Sequence, residues 1–498
     1  MPVLFLTVIL LIIYIATLAP GLSWANNSSD GGDLITAAAT DGVAHPTGYP
    51  TYLLIARIFQ LIPIGSIAYR TNLLSAIAVT GAAVCIYFLV VNISDQTNQK
   101  GWIAGLVSSF AFGLAPIIWS QAVITEVYSL HIFFIALILL LLMRSINRNS
   151  ENQNDALLGL IFGLSLGNHM SAFLLAPLVF SIGVFKNDPT KDPLNQKQNK
   201  SPRWTRTINK KVLFKRILWI MLGLCIYLTL FIRARSNSPI NWENPVTVSN
   251  LLRLISGQLY SDYFFDLSLS LLFTRIQAFA TIFLSQSGII GLLIGLYGFI
   301  FISKPRWLFY ASLWIIICSF IFAISYNTFD SYLYLIPIFI IFSIWIGISF
   351  NNFITKISTE HKWMGIITLL CIILLSTSWF MNNWKTVDAS KDDQAEKFGQ
   401  MAMEKIPLNA IVFANDEKAS FSLWYFHFVL KERSDLIILS TDLLSYSWYR
   451  ERMRAIYPSI LIPDPKDPLW KELMTTENSN RTSCDVSFIG EPQIYCSK

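Results

Sequence analysis

Apolar residues in this chain run in blocks that are too long and too regular for a water-soluble fold. Set against the roughly 20 residues a helix needs to cross a bilayer, the blocks predict about eleven spanning helices: residues 2–20, 71–92, 101–119, 127–143, 156–168, 170–185, 216–232, 287–303, 307–325, 332–350 and 364–381. Two longer polar stretches interrupt them. One covers 21–70, after the first span. The other covers 233–286, where apolar residues recur at helical spacing among Arg253, Asp262, Asp266 and Arg275. That spacing predicts an amphipathic helix near Leu251 to Leu272 lying in the membrane interface, or else a packed outer loop.

Beyond Asn382 the pattern changes to that of a soluble unit. Lys391 to Lys405 and Ser420 to Leu430 read as helices, and Ala410 to Ala414 and Leu436 to Ser440 as short buried strands. Alternating helix and strand predicts a small α/β domain. The predicted architecture is therefore a polytopic α-helical membrane protein, residues 1–385, followed by a C-terminal α/β domain, residues 386–498. Trp424, Tyr425, Trp448 and Tyr449 belong to the core of that domain or bind a flat ligand.

Composition agrees with a membrane protein. Hydrophobic residues make up 54% of the 498 and charged ones only 14%, where a soluble domain carries nearer a quarter. The net charge of +6 does not indicate nucleic acid, because the excess sits largely in one inter-helix loop. Lys186 to Arg216 holds ten basic residues against Asp188 and Asp192. With Lys100, Arg144, Arg148, Lys304, Arg306, Lys356 and Lys362 on the same side, the positive-inside tendency places the N-terminus in the cytoplasm and the C-terminal domain outside, in a bacterial inner membrane or its equivalent. Cys484 and Cys496 lie in the outer tail, where a disulfide is chemically permitted.

That topology directs the chemistry. The acidic residues Asp30, Asp33, Asp41, Glu126 and Asp330 fall on the non-cytoplasmic side, away from ATP and nucleotide sugars, and no phosphate-cradling Gly-rich loop is present. An activated donor carried by the membrane fits such a site. The most unusual stretch is Asp30 to Pro50, DGGDLITAAATDGVAHPTGYP. Asp30 or Asp33 could simply cap the helix that begins there. Polar residues also gather at the same ends of other spans: Gln121, Glu126 and Tyr128; Asn168 and His169; Arg233 and Arg235; Asp330, Tyr332 and Tyr334. Such groups are costly near a bilayer unless solvated, paired or functional, and their accumulation predicts a shared outer cavity. There a carboxylate would act as general base on a hydroxyl, Arg233 or Arg235 would neutralise a lipid phosphate, and His45 or His169 would hold that phosphate or orient the base.

These residues carry a resemblance. Asp30 to Leu34 and Ala44 to Pro50 (AHPTGYP), with Glu126 to Leu130, Gly163 to His169, Asp330 to Tyr334, Phe413 to Asp416 and Leu423 to Tyr425, resemble the family once called DUF2723, which includes the transmembrane protein 260 O-mannosyltransferases. The resemblance implies a GT-C type glycosyltransferase using a polyprenyl-phosphate sugar, with an acidic base in the first outer loop, inversion at the sugar carbon, and a protein Ser or Thr, a glycan or a lipid as acceptor. It makes Asp30 the first choice for the base and Asp33 the second, because Asp33 stands where Glu is frequent; Thr47 replaces a common Pro. His45, Tyr49, Glu126, Tyr128, Asn168, His169, Arg233, Arg235, Asp330 and Tyr332 are then expected to bind substrate. No cofactor and no metal are called for by spacing, although the carboxylates are compatible with a hard divalent cation. A transporter or flippase for a lipid-linked solute would instead place polar residues at the midplane and show repeats, and a noncatalytic scaffold would leave the carboxylates as caps.

Overall fold

The computed structural model describes residues 1–94, 101–146, 153–189, 204–302, 306–358, 374, 377–378, 380–464 and 469–497. Among them, six helices are long and apolar enough to cross a membrane: Ile67–Ser94, Val127–Ile146, Lys210–Ala234, Leu269–Ile300, Arg306–Ser325 and Ser331–Phe353. A seventh crossing is counted if Gly101–Gly113 and Pro116–Ala122, which meet at a 73° bend, form one span. The expected eleven is thereby corrected. Three of the expected spans are the shorter apolar helices Pro2–Ala16, Asn154–Leu166 and Met170–Ser181. Most of the eleventh lies outside the described residues. The bend in the third has a plain cause: Pro116 lacks the N–H that would continue the helix.

The outer loop expected over 233–286 is also shorter. Helix Leu269–Phe301 starts once Ser268 caps it by accepting from the Leu271 N–H, so residues 269–286 extend the candidate span, which is kinked at Gly288. The amphipathic helix is Val248–Ser256, with Leu251 and Leu254 turned inward and Val248 and Leu252 outward. It ends at Gly257, which takes a left-handed conformation, as expected at a helix C-terminus.

Helices Ile67–Ser94, Gly101–Gly113, Val127–Ile146 and Ile336–Ser358 form the packed centre of the bundle, joined in part by Ser108 Oγ donating to the Ser343 carbonyl at 2.7 Å. Away from the site, Arg216 of helix Lys210–Leu224 and Asp155 of helix Gln153–Leu166 form a buried pair with N···O distances of 2.5 and 2.8 Å from Nη2 and Nε, while Nη1 of Arg216 donates to the carbonyls of Val179 and Ile182.

The C-terminal α/β domain appears as expected, with more sheet than the pattern showed. Label its strands β1 (Ile411–Ala414), β2 (Ile437–Ser440), β3 (Ser483–Ile489) and β4 (Glu491–Ser497). The spatial order is β2-β1-β3-β4, with β1 parallel to both neighbours and β3–β4 an antiparallel hairpin bridged by Cys484–Cys496. Trp424, Tyr425, Trp448 and Tyr449 are all buried.

This domain sits on the first loop. Asp392 Oδ2 accepts from Ser23 Oγ at 2.6 Å and from the N–H groups of Trp24 and Ala25 at 2.8 Å, and Glu396 accepts from the Leu22 N–H. The Trp24 ring packs 4.4 Å from Phe488 and 5.4 Å from Phe398, with the Lys418 ammonium 5.2 Å from its centroid. Helix Gly31–Ala39 of the loop then packs against helix Glu417–Trp424. The approach requires glycine at 32, since a Cβ there would lie 2.4 Å from the Phe421 carbonyl oxygen.

Candidate active site

The loop that opens on Asp30 is fixed from three sides: by the C-terminal domain, by the bundle and by the segment after helix Leu228–Ala234. That segment crosses the loop as an added strand, with the Val43 N–H donating to the Ile240 carbonyl at 2.9 Å and the Trp242 N–H to the Val43 carbonyl at 3.3 Å. The crossing delivers the Trp242 indole, whose Nε1 donates to Asp33 Oδ1 at 3.0 Å. The other Asp33 oxygen accepts from the His45 backbone N–H at 3.0 Å and lies 2.7 Å from His45 Nδ1. His45 Nε2 is in turn 3.5 Å from Asp30 Oδ2. One imidazole thus stands between two carboxylates, Asp33 fully buried and Asp30 open to a cavity.

Capping does not account for this pair. Asp30 occupies the N-cap position of helix Gly31–Ala39, but its side chain makes no capping hydrogen bond. It is 35% exposed and lines a cavity of about 530 Å³. Burial, followed by the nearby Asp330 and Asp33, raises the Asp30 carboxyl above its ordinary range against the opposing pull of His45. For His45, burial acts downward, but the carboxylates of Asp30 and Asp33 prevail and push the imidazole up to about 9. The physical cause is the one expected of an imidazole flanked by two anions.

Most of the expected site residues meet at this cavity. Besides Asp30 and His45, its wall contains Tyr49, Glu126, Tyr128, His169, Asp330 and Tyr332. Glu126 accepts from Ser28 Oγ at 3.0 Å, and burial followed by Asp30 raises its carboxyl well above the usual range. The Tyr128 hydroxyl donates to Asp330 Oδ2 at 3.2 Å. Tyr49 donates to the Pro46 carbonyl and stacks at 6.2 Å on His169. Burial and the charge on His45 push His169 down to about 4, so its ring is neutral at ordinary pH; its Nδ1 lies 2.8 Å from Ser171 Oγ, which lies 3.0 Å from His131 Nε2.

Four expected residues are not brought there. Asn168 is buried behind the wall and donates to the Val127 carbonyl at 3.2 Å. Arg233 uses its Nη1 on the carbonyls of Ala37 and Gly42, closing the end of helix Gly31–Ala39, with Asp41 3.8 Å away. A cation is favourable at that helix end because the last carbonyls have no helical partner. Arg235 is exposed, and neither arginine lines the cavity. Asp33 also stands behind the wall, touching the cavity only through His45. Among the described lining residues there is no Lys or Arg, and no group of three or more His, Cys, Asp or Glu side chains is placed to hold a metal ion.

The structure adds residues that the sequence pattern did not single out. Trp242 carries no signal beyond an isolated tryptophan in a polar loop. Glu417 and Phe421 reach the cavity wall from the C-terminal domain, and only the docking of that domain reveals them.

The overall fold is of the GT-C type. Among solved structures, ArnT from Cupriavidus metallidurans bound to undecaprenyl phosphate superposes with a TM-score of 0.56, covering 97% of this chain and 92% of that one at 10% identity. The Archaeoglobus fulgidus oligosaccharyltransferase in complex with Zn and sulfate gives 0.54, covering 98% and 68%, also at 10% identity. In sequence the chain is similar to TMEM260 proteins. Residues 30–192 match the protein O-mannosyl-transferase TMEM260 N-terminal domain, and residues 395–465 match TMEM260-associated domain 2. The protein O-mannosyl-transferase tmem260 of Dictyostelium discoideum is 25% identical over 91% of this chain and 58% of its own length; that of Mus musculus is 24% identical over 87% and 62%. This chain therefore spans about three-fifths of the length of these relatives.

Proposed function

We propose that this protein transfers a sugar, mannose by its relatives' names, from a polyprenyl-phosphate carrier to a Ser or Thr hydroxyl of a protein, with inversion, in a cavity on the non-cytoplasmic side. The observation that carries the reading is the Asp33–His45–Asp30 line ending at the cavity. Asp30 is the base. Asp33 is unsuited to that role because both its oxygens are taken by Trp242 and His45, and its part is to hold the imidazole in place.

In the reaction, Asp30 takes the hydroxyl proton as the acceptor oxygen bonds to the anomeric carbon. The bond from that carbon to the phosphate oxygen breaks on the opposite face, and its electron pair leaves with the lipid monophosphate. His45, charged and hydrogen-bonded to Asp33, keeps Asp30 oriented and limits the repulsion among the cavity's carboxylates. The carrier's tail has an apolar approach, since Phe173 and Phe329 line the cavity and are exposed. The names of the solved neighbours support this donor class, one being bound to undecaprenyl phosphate.

The test is transfer by purified protein in liposomes supplied with polyprenyl-phosphate mannose, glucose or arabinose and a mixture of synthetic Ser/Thr peptides. Sugar appearing on peptide, with the carrier phosphate released, supports the reading. A transporter would move a lipid-linked or polar solute across the bilayer and leave every donor intact, and that result would reject the reading.

A further inference from the structure

Two elements of different origin line the cavity: the loop and bundle residues that include Asp30 and His45, and Glu417 and Phe421 of helix Glu417–Trp424, contributed by the C-terminal domain. The helix is held rigidly. Asp416 caps it through the Ala419 N–H at 2.9 Å and uses its second oxygen on the Phe488 N–H at 2.7 Å. The close approach of Gly32 to the Phe421 backbone fixes its distance from the Asp30 loop.

Glu417 itself forms no hydrogen bond or ion pair within the described structure. Cavity-lining carboxylates elsewhere have partners: Ser28 for Glu126, Tyr128 for Asp330, Ser29 and His45 for Asp30. An ionised carboxylate only accepts hydrogen bonds, and one left without a donor inside a cavity is suited to a ligand that brings donors. Glu417 is exposed, so water fills its acceptor positions until a ligand brings donors of its own, while burial, and then Asp30, push its carboxyl up to about 7.

Position selects which substrate that is. The donor's lipid must approach from the apolar side, past Phe173 and Phe329. Glu417 and Phe421 reach the cavity wall from the C-terminal α/β domain. A polypeptide offers a backbone N–H beside each Ser or Thr hydroxyl, in fixed relation to it.

We propose that Glu417 is an acceptor-binding residue, its carboxylate receiving a backbone N–H of the acceptor polypeptide next to the hydroxyl that Asp30 deprotonates. This rests on the transferase reading above. The C-terminal domain thereby forms half of the acceptor subsite, with Phe421 supplying an apolar surface one turn along the helix.

The experiment uses the full chain in liposomes with polyprenyl-phosphate mannose and the best acceptor peptide from the mixture. Glu417→Ala is expected to raise the acceptor KM by about tenfold or more, the loss expected of a hydrogen bond to a charged group, with the donor KM moving less than about twofold. A second measurement needs no variant. N-methylation of the acceptor backbone, moved one residue at a time around the hydroxyl, should weaken transfer at one position in the unaltered protein. That position should be insensitive in Glu417→Ala, because the two changes remove the same bond. An unchanged acceptor KM, donor and acceptor KM rising together, or no position sensitive to methylation would each overturn the assignment. Transfer to peptide with any of those results removes Glu417 alone; no transfer to peptide by the unaltered protein removes the proposed function and this inference with it.

Discussion

His45 Nδ1 lies 2.7 Å from Oδ2 of Asp33, a carboxylate with no solvent exposure whose other oxygen is held by Trp242. The pairing divides labour between two aspartates only three residues apart. Asp33 fixes the imidazole, and Asp30 at the far nitrogen lines the cavity.

Asparagine substitutions should separate the two roles. Asp30→Asn is expected to lower the transfer rate by about 100- to 10,000-fold, the range for loss of a general base, while the melting temperature and donor KM stay near those of the unaltered protein. Asp33→Asn should lower activity and stability together, because a buried donor loses its acceptor at a cost of about 1–3 kcal/mol. Thermal melts alongside initial rates check both, and equal loss of stability in the two variants would refute the division.

The His45 site should also make stability depend on pH in a defined window. Its folded value of about 9 lies above the ordinary 6.5, so the folded state binds the proton more tightly than the unfolded one. The stabilisation is then complete below about pH 6.5 and is lost as pH rises through about 9. The stability advantage of the unaltered protein over His45→Gln should shrink across that interval, measured by chemical unfolding at each pH.

Adjacent glycines should respond differently to alanine. A Cβ at Gly32 would meet the Phe421 carbonyl at 2.4 Å, whereas one at Gly31 has its nearest neighbour at 3.5 Å. Gly32→Ala is expected to loosen the C-terminal domain, seen as faster proteolysis near residue 385 and loss of transfer. Gly31→Ala should keep both close to normal.

The buried Arg216–Asp155 pair gives a stability prediction remote from the cavity. Arg216→Met alone should destabilise by about 3–5 kcal/mol, since it leaves a buried carboxylate without its partner, and adding Asp155→Leu should recover much of the loss. Unfolding in detergent, single against double variant, measures the coupling.

Much of the fold was legible because its causes are local. Apolar runs mark membrane helices whatever surrounds them, and the Ile411–Ala414 and Ile437–Ser440 strands followed from composition and turn signals. The count of spans was less legible. Length alone does not separate a full crossing such as Ile67–Ser94 from a short apolar helix such as Met170–Ser181, and the start of Leu269–Phe301 was obscured by polar residues on its first turns.

The site divides along the same line. The sequence by itself determined the chemistry-bearing residues of the first loop, since Asp30, Asp33 and His45 lie within one polar stretch between apolar segments. It also marked Glu126, Tyr128, His169 and Asp330 as polar groups at the ends of apolar segments, and the cavity brings them together. Only the tertiary structure decided which aspartate is free and which is enclosed, a matter settled by Trp242 some 200 residues away. It likewise turned Arg233 from an expected phosphate ligand into the clamp on helix Gly31–Ala39, and brought Glu417 of the C-terminal domain to the cavity wall. Hydrogen-bond partners distant in sequence are chosen by packing, and packing leaves no local mark in the chain.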